Sequence, residues 1–102
     1  MIGDIDTHRD QLAALCRDFG VRRLDVFGSA AGGDFNRERS DIDLLVEFDR
    51  SAPGSLFDRY FGLKEALEAL FGRRVDLVEA GAVRNPYLKA AIEQSRRNVY
   101  AA

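Results

Sequence analysis

The stretch "DVFGSAAGGDFNRERSDIDLLVEF", residues 25–48, carries the features that decide the fold. It ends in an apolar run headed by two acidic residues, Asp41 and Asp43, and it begins with a short apolar segment closed by Gly28-Ser29. Alternate side chains of a β-strand share a face, so a strand over the apolar run places both aspartates on the same face. Like charges this close repel each other unless a cation lies between them. The pattern therefore predicts a cation site at the start of a strand.

Hydrophobic periodicity predicts alternating helices and strands along the chain. The predicted strands cover residues 22–28, 41–48 and 73–80, with a further short strand at 98–102. The predicted helices cover about 7–19, 56–71 and 86–97, with one helical turn starting at Ser29. Gly and Ser signals mark the helix ends, and Asn85-Pro86 is typical of a helix start. We expect an α/β (α+β) fold, with a small mixed β-sheet flanked by helices, in a single domain that spans residues 1–102.

A third aspartate joins the predicted cation site. A strand–helix–strand unit normally forms a parallel pair, so the second and third strands start at the same end of the sheet and bring Asp76 to Asp41 and Asp43. The short connection after the first strand brings Ser29 to face these carboxylates. Three carboxylates suit Mg²⁺, which also binds substrate phosphates, and two such ions about 4 Å apart can clamp a displacement at phosphorus.

Gly28-Ser29 supplies the predicted phosphate contact. Glycine lets the backbone approach a phosphate, and a serine hydroxyl with the N–H groups of a helix start can hold it. Taken singly, each feature has an ordinary explanation: a turn for Gly-Ser, a solvated strand edge or a structural cation site for Asp41 and Asp43, and a turn residue for Asp76. Their joint occurrence in this order favours a site for metal ions and a nucleoside triphosphate.

Composition excludes several classes of protein. The net charge is −2 and the pI is near 5.3, which argues against a free nucleic acid as the main ligand. Neither a secretion signal nor an apolar run long enough to cross a membrane is found.

Cys16 lies on the apolar side of a helical pattern, which favours a buried thiol in a reducing compartment, the cytoplasm. Short arginine pairs such as Arg96–Arg97 are expected to be solvated ends of elements.

The motif resembles the signature of the polymerase-β-type nucleotidyltransferase superfamily, in which Gly-Ser, a spacer and Asp-x-Asp are followed by a carboxylate on a later strand. The chain's size and its C-terminal stretch resemble the minimal nucleotidyltransferases, which are commonly encoded as antitoxins beside a HEPN-domain protein. This resemblance implies a polymerase-β-like nucleotidyltransferase fold. It assigns Gly28 and Ser29 to the triphosphate, Asp41 and Asp43 to both metal ions, and Asp76 to the catalytic metal and to activation of the acceptor.

The resemblance also implies a reaction: Mg²⁺-dependent transfer of AMP from ATP to a hydroxyl, expected to be a tyrosine, of a partner HEPN toxin that is itself a ribonuclease. Relatives often carry arginine where this chain has Gly32, so an antitoxin that neutralises its partner by binding alone, with a weak or inactive site, is the alternative. A template-directed polymerase or RNA-tailing enzyme is disfavoured by the length and the pI. The sequence leaves open the base, the acceptor residue and the stoichiometry.

Overall fold

The structure is a computed structural model that describes residues 7–28 and 42–102. Its strands are β1 (Val21–Phe27), β2 (Ile42–Phe48), β3 (Val75–Glu79) and β4 (Arg97–Ala101). The helices are α1 (Arg9–Asp18), α2 (Leu56–Phe71) and α3 (Pro86–Ser95), with a 3₁₀ turn at Ala80–Ala82. The helical turn predicted after Ser29 falls outside the described residues. No helix in the described part of the chain is long and apolar enough to cross a bilayer.

The four strands form one mixed sheet in the order β3-β2-β1-β4. β2 and β3 are parallel and are joined through α2, as the strand–helix–strand pattern predicted. β1 runs antiparallel to both β2 and β4. The end of β1 and the starts of β2 and β3 therefore lie at the same end of the sheet. The predicted fold class, a small mixed sheet flanked by helices, is confirmed.

Both faces of the sheet are covered, and the alternation along β2 decides which residues lie on each face. Ile42, Leu44, Val46 and Phe48 are buried in the main core together with residues of α1 and α2, among them Leu12, Cys16, Leu63 and Leu67. Leu45 points to the opposite face, where it packs with Phe27 and with Ile92 of α3. Burying each large aliphatic side chain contributes about 1.5–3 kcal/mol, so these two clusters hold the helices against the sheet.

The helix boundaries follow the local signals of the sequence. The Ser55 hydroxyl accepts a hydrogen bond from the Asp58 N–H at the start of α2, and Gly72 ends that helix in the left-handed conformation, with φ 66°. Asn85 accepts hydrogen bonds from the Tyr87 and Leu88 N–H groups, and Pro86 occupies the first turn of α3. α3 ends at Ser95, two residues before the predicted end, because the chain enters β4 at Arg97.

One prediction about packing is wrong. Helical spacing places Phe57 and Phe61 on the apolar stripe of α2 and so predicts that both pack in the core, but these rings are 69% and 47% exposed. The two rings lie against each other, with centroids 4.7 Å apart, rather than against the sheet. Helical spacing identifies the side of a helix that faces a core, but it does not show where the underlying sheet ends.

Candidate active site

Asp43 of β2 and Asp76 of β3 lie directly opposite each other in the parallel pair. The flanking partners, Ile42–Val75 and Leu44–Leu77, are buried in the main core. Because side chains alternate along a strand, both aspartates point to the other face of the sheet. Adjacent strands are about 4.8 Å apart, so the two carboxylates are neighbours. Asp76 is exposed and Asp43 partly so, which leaves their oxygens accessible from solvent.

Gly28 lies directly after β1, next to Asp43. Phe27 is the partner of Asp43 in the β1–β2 ladder, and Gly28 follows it with φ 70°. A methyl group on Gly28 would lie 2.6 Å from Asp43 Oδ2, closer than real Cβ contacts allow. The positive φ and the close approach to the carboxylate both favour glycine here. The structure thus places Gly28, Asp43 and Asp76 side by side at one end of the sheet, as the sequence predicted.

Ser29 and Asp41 lie outside the described residues, as does Gly32. Their assignments, to the triphosphate for Ser29 and to the metal ions for Asp41, stay predictions. No group of three or more metal-ligating side chains is found within 7–28 and 42–102, where the site contributes two carboxylates. Carboxylate oxygens are the ligands that Mg²⁺ prefers, and an adjacent, solvent-accessible pair fits an ion that also binds phosphate.

Asp25 is a charged residue of this region that sequence reasoning missed. It is completely buried in β1, three residues before Gly28. Arg96 contacts Asp25 Oδ2 at 2.5 Å through Nη2 and at 2.6 Å through Nε. Asn98 and Arg23 donate to Oδ1 at 3.0 and 3.2 Å. Burial raises the pKa of Asp25, but the hydrogen bonds from Asn98, Arg96 and Arg23 outweigh it and hold that pKa below its ordinary value.

The prediction that Arg96 is a solvated helix end is wrong. Arg96 pairs with the buried carboxylate, and its Nη1 also contacts Glu93 at 2.5 Å. An aspartate inside the apolar segment "LDVF" was the available signal, because a buried carboxylate needs a cationic partner. The partner itself could not be read locally, since Arg96 lies 71 residues away along the chain.

Ser95, the last residue of α3, contacts the site directly. The Gly28 N–H donates a hydrogen bond to Ser95 Oγ at 3.0 Å. The same hydroxyl donates to the Ala91 carbonyl oxygen within α3, also at 3.0 Å. The end of α3 is therefore bound to the end of β1 at the residue that approaches Asp43.

The fold that carries this carboxylate pair and glycine turn matches a minimal nucleotidyltransferase structure. Residues 8–99 match the family described as the nucleotidyltransferase domain, and the chain belongs to this family. The resemblance seen in the sequence is confirmed at this level, together with the expectation that the chain is an enzyme of the nucleotidyltransferase class. The residue roles within the site do not follow from family membership alone.

Three known proteins show the similarity in detail. The chain is 41% identical over 76 residues to Protein adenylyltransferase MntA of Thermococcus cleftensis. The aligned residues make up 74% of this chain and 73% of the relative. A solved structure described as a candidate minimal nucleotidyltransferase has a TM-score of 0.76 and 34% identity, covering 94% of this chain and 93% of the other. The structure of the tri-AMPylated Shewanella oneidensis HEPN toxin in complex with MNT antitoxin matches with TM-score 0.66 and 17% identity, over 96% of this chain and 73% of that chain. This last match shows the fold alone.

Proposed function

We propose that this chain is a protein adenylyltransferase that moves AMP from ATP to a hydroxyl of a partner HEPN toxin and so acts as its antitoxin. The observation that carries the proposal is that Gly28, directly after β1, lies beside the paired Asp43 of β2 and Asp76 of β3 at one end of the sheet. The names of the adenylyltransferase relative and of the AMPylated toxin complex support the choice of AMP and of the partner. We assign the activity to one domain that spans residues 1–102.

Asp43 and Asp76, with Asp41 as the further proposed ligand, would hold two Mg²⁺ ions. When bound, the ions supply positive charge that offsets the charge of the triphosphate and of the leaving pyrophosphate. Gly28 has no side chain, which leaves room for phosphate beside Asp43, and we assign the Ser29 hydroxyl to a hydrogen bond with the triphosphate.

The exposure of Asp76 suits a role toward the acceptor. We assign this carboxylate to receiving the proton of the attacking hydroxyl. The acceptor oxygen forms a bond to the α-phosphorus of ATP, the bond from that phosphorus to the bridging oxygen breaks, and pyrophosphate leaves. A carboxylate at an open strand start can be reached by a side chain of a docked protein, and a tyrosine hydroxyl has the length and the rigidity for this.

The charge of the chain favours a protein acceptor over a nucleic acid. Binding a nucleic-acid backbone requires neutralisation of its phosphates, whereas this chain has a net charge of −2. A second candidate function is an antitoxin that blocks its partner by binding alone. Gly32, where relatives often carry arginine, favours this candidate because it removes one cation from the region assigned to the triphosphate.

Co-expression with the HEPN protein tests the proposal, with intact-mass spectrometry of the purified partner as the readout. We expect the partner to gain the mass of one or more AMP groups with the wild type and with the control Asp18→Asn, an exposed aspartate of α1. The gain should disappear with Asp43→Asn. A stable pair that is never modified would support binding alone. Untemplated extension of an RNA without any association would refute both protein-directed functions.

A further inference from the structure

The hydrogen bond between Ser95 and Gly28 is placed where it can control the site. The Gly28 N–H belongs to the peptide between Phe27 and Gly28, at the point where the chain leaves β1 toward the proposed triphosphate-binding residues. Glycine has the greatest backbone freedom of any residue, so a fixed orientation here needs an external contact. Ser95 Oγ supplies this contact from a helix 67 residues away in the sequence.

Ser95 is itself held in place on two sides. Its hydroxyl donates a hydrogen bond to the Ala91 carbonyl oxygen and accepts one from the Gly28 N–H. The hydroxyl therefore acts as donor and as acceptor at the same time. The next residue, Arg96, is bound to the buried Asp25. Two polar contacts thus join the end of α3 to β1 and the residue after it: the ion pair of Arg96 with Asp25 and the hydrogen bond of Ser95 with Gly28. Rotation of this helix end relative to the strand would break both.

The orientation of the Gly28 peptide also bears on Asp43. A Cβ built on Gly28 would lie 2.6 Å from Asp43 Oδ2, so the Gly28 backbone adjoins that carboxylate, and reorienting the Gly28 peptide would move it relative to that oxygen. We propose that Ser95 is a positioning residue, whose hydroxyl orients the Gly28 peptide for triphosphate binding, with the Arg96–Asp25 pair holding Ser95 in register. This inference rests on the proposed function only in taking Gly28-Ser29 as the triphosphate contact. It does not require that AMP be transferred.

The test compares Ser95→Ala with Ser95→Thr, which keeps a hydroxyl at the same position. The control is Ser51→Ala, which removes a hydroxyl beyond the other end of β2, where Ser51 donates to Asp49. Affinity for a non-hydrolysable ATP analogue with Mg²⁺ is measured by calorimetry. Exchange of the Gly28 amide hydrogen is measured by NMR without nucleotide.

We expect Ser95→Ala to weaken binding of the analogue about 2- to 10-fold, the effect of one hydrogen bond, and to speed exchange at Gly28. Ser95→Thr and Ser51→Ala should match the wild type in both measurements. Unchanged affinity in Ser95→Ala would overturn the inference, as would a Ser95→Thr variant that behaves like Ser95→Ala. A wild type that binds the analogue but never modifies its partner would instead refute the proposed transfer and leave the role of Ser95 intact.

Discussion

Asp43 and Asp76 are direct partners in the parallel ladder of β2 and β3, on the face of the sheet away from the main core. Like charges placed opposite each other on neighbouring strands destabilise a sheet by up to about 1 kcal/mol. Nothing in the folding of the main core requires acidic residues at these positions, since the flanking partners are already buried there. A pair of this kind is expected where a cation or a reacting group makes use of it.

Replacing Asp76 with Asn separates function from stability. The substitution removes one of the two charges and the proposed proton acceptor, so transfer should fall by about 10²-fold or more. The melting temperature without Mg²⁺ should stay the same or rise slightly, because repulsion with Asp43 is relieved. Thermal melts in EDTA, beside a transfer assay, check both parts. A large drop in melting temperature would show that Asp76 is structural.

Two glycines with nearly the same positive φ provide a matched comparison. Gly28 has φ 70° and Gly72 has φ 66°, but only Gly28 has an atom within 4 Å of the position of an added Cβ. Alanine at either site should cost about 1–2 kcal/mol because of the positive φ. Gly28→Ala should lose more, by contact with Asp43, and should lose transfer, whereas Gly72→Ala should keep it. Urea unfolding and transfer assays measure this, and equal losses for the two variants would contradict the close approach at Gly28.

The buried Asp25 predicts a pH dependence of stability. Its pKa is lower in the folded chain than the ordinary value of 3.8, so the carboxylate form stabilises the fold above that value, and this contribution is lost as the pH falls through the folded pKa. Arg96→Met removes the main charge partner of a buried carboxylate and should cost roughly 3 kcal/mol near neutral pH.

Urea midpoints between about pH 6 and about pH 2 should therefore fall less steeply in Arg96→Met than in the wild type. Arg97→Met is the control, because Arg97 is the exposed neighbour in the same sequence pair. If both variants gave the wild-type profile, the Asp25–Arg96 pair would contribute nothing to stability.

Cys16 should be chemically inert in the folded chain. Burial raises the pKa of its thiol to about 12, so almost none of the reactive thiolate is present near neutral pH. Since the pKa is raised from 9.0, the thiol stabilises the fold below about pH 9, and this contribution is lost as the pH rises toward 12. Alkylation with iodoacetamide at about pH 8 should be slow until urea unfolds the chain. Rapid alkylation without unfolding would contradict the burial of Cys16.

The sequence predicted the parts of this fold that depend on neighbouring residues. The alternation of side chains along β2 places Leu44 and Leu45 on opposite faces of the sheet. The capping residues Ser55 and Asn85 mark the starts of α2 and α3. The connection rule for parallel strands then brought Asp76 to Asp43. The contacts of Asp25 with Arg96 and of Gly28 with Ser95 were missed, because each joins residues about 70 positions apart and no local period encodes such a pairing.

The proposed reaction transfers the α-phosphoryl group of ATP, with its nucleoside, to a protein. It is tested most directly by measuring the label on the HEPN partner. The purified chain and the partner are incubated with Mg²⁺ and with ATP labelled either at the α- or at the γ-phosphate. We predict that the partner becomes labelled from the α-position and not from the γ-position, and that Asp76→Asn slows labelling about 10²-fold or more while Asp18→Asn labels at the wild-type rate. Label from the γ-position, or an unlabelled partner in a stable complex, would contradict the proposed transfer of AMP.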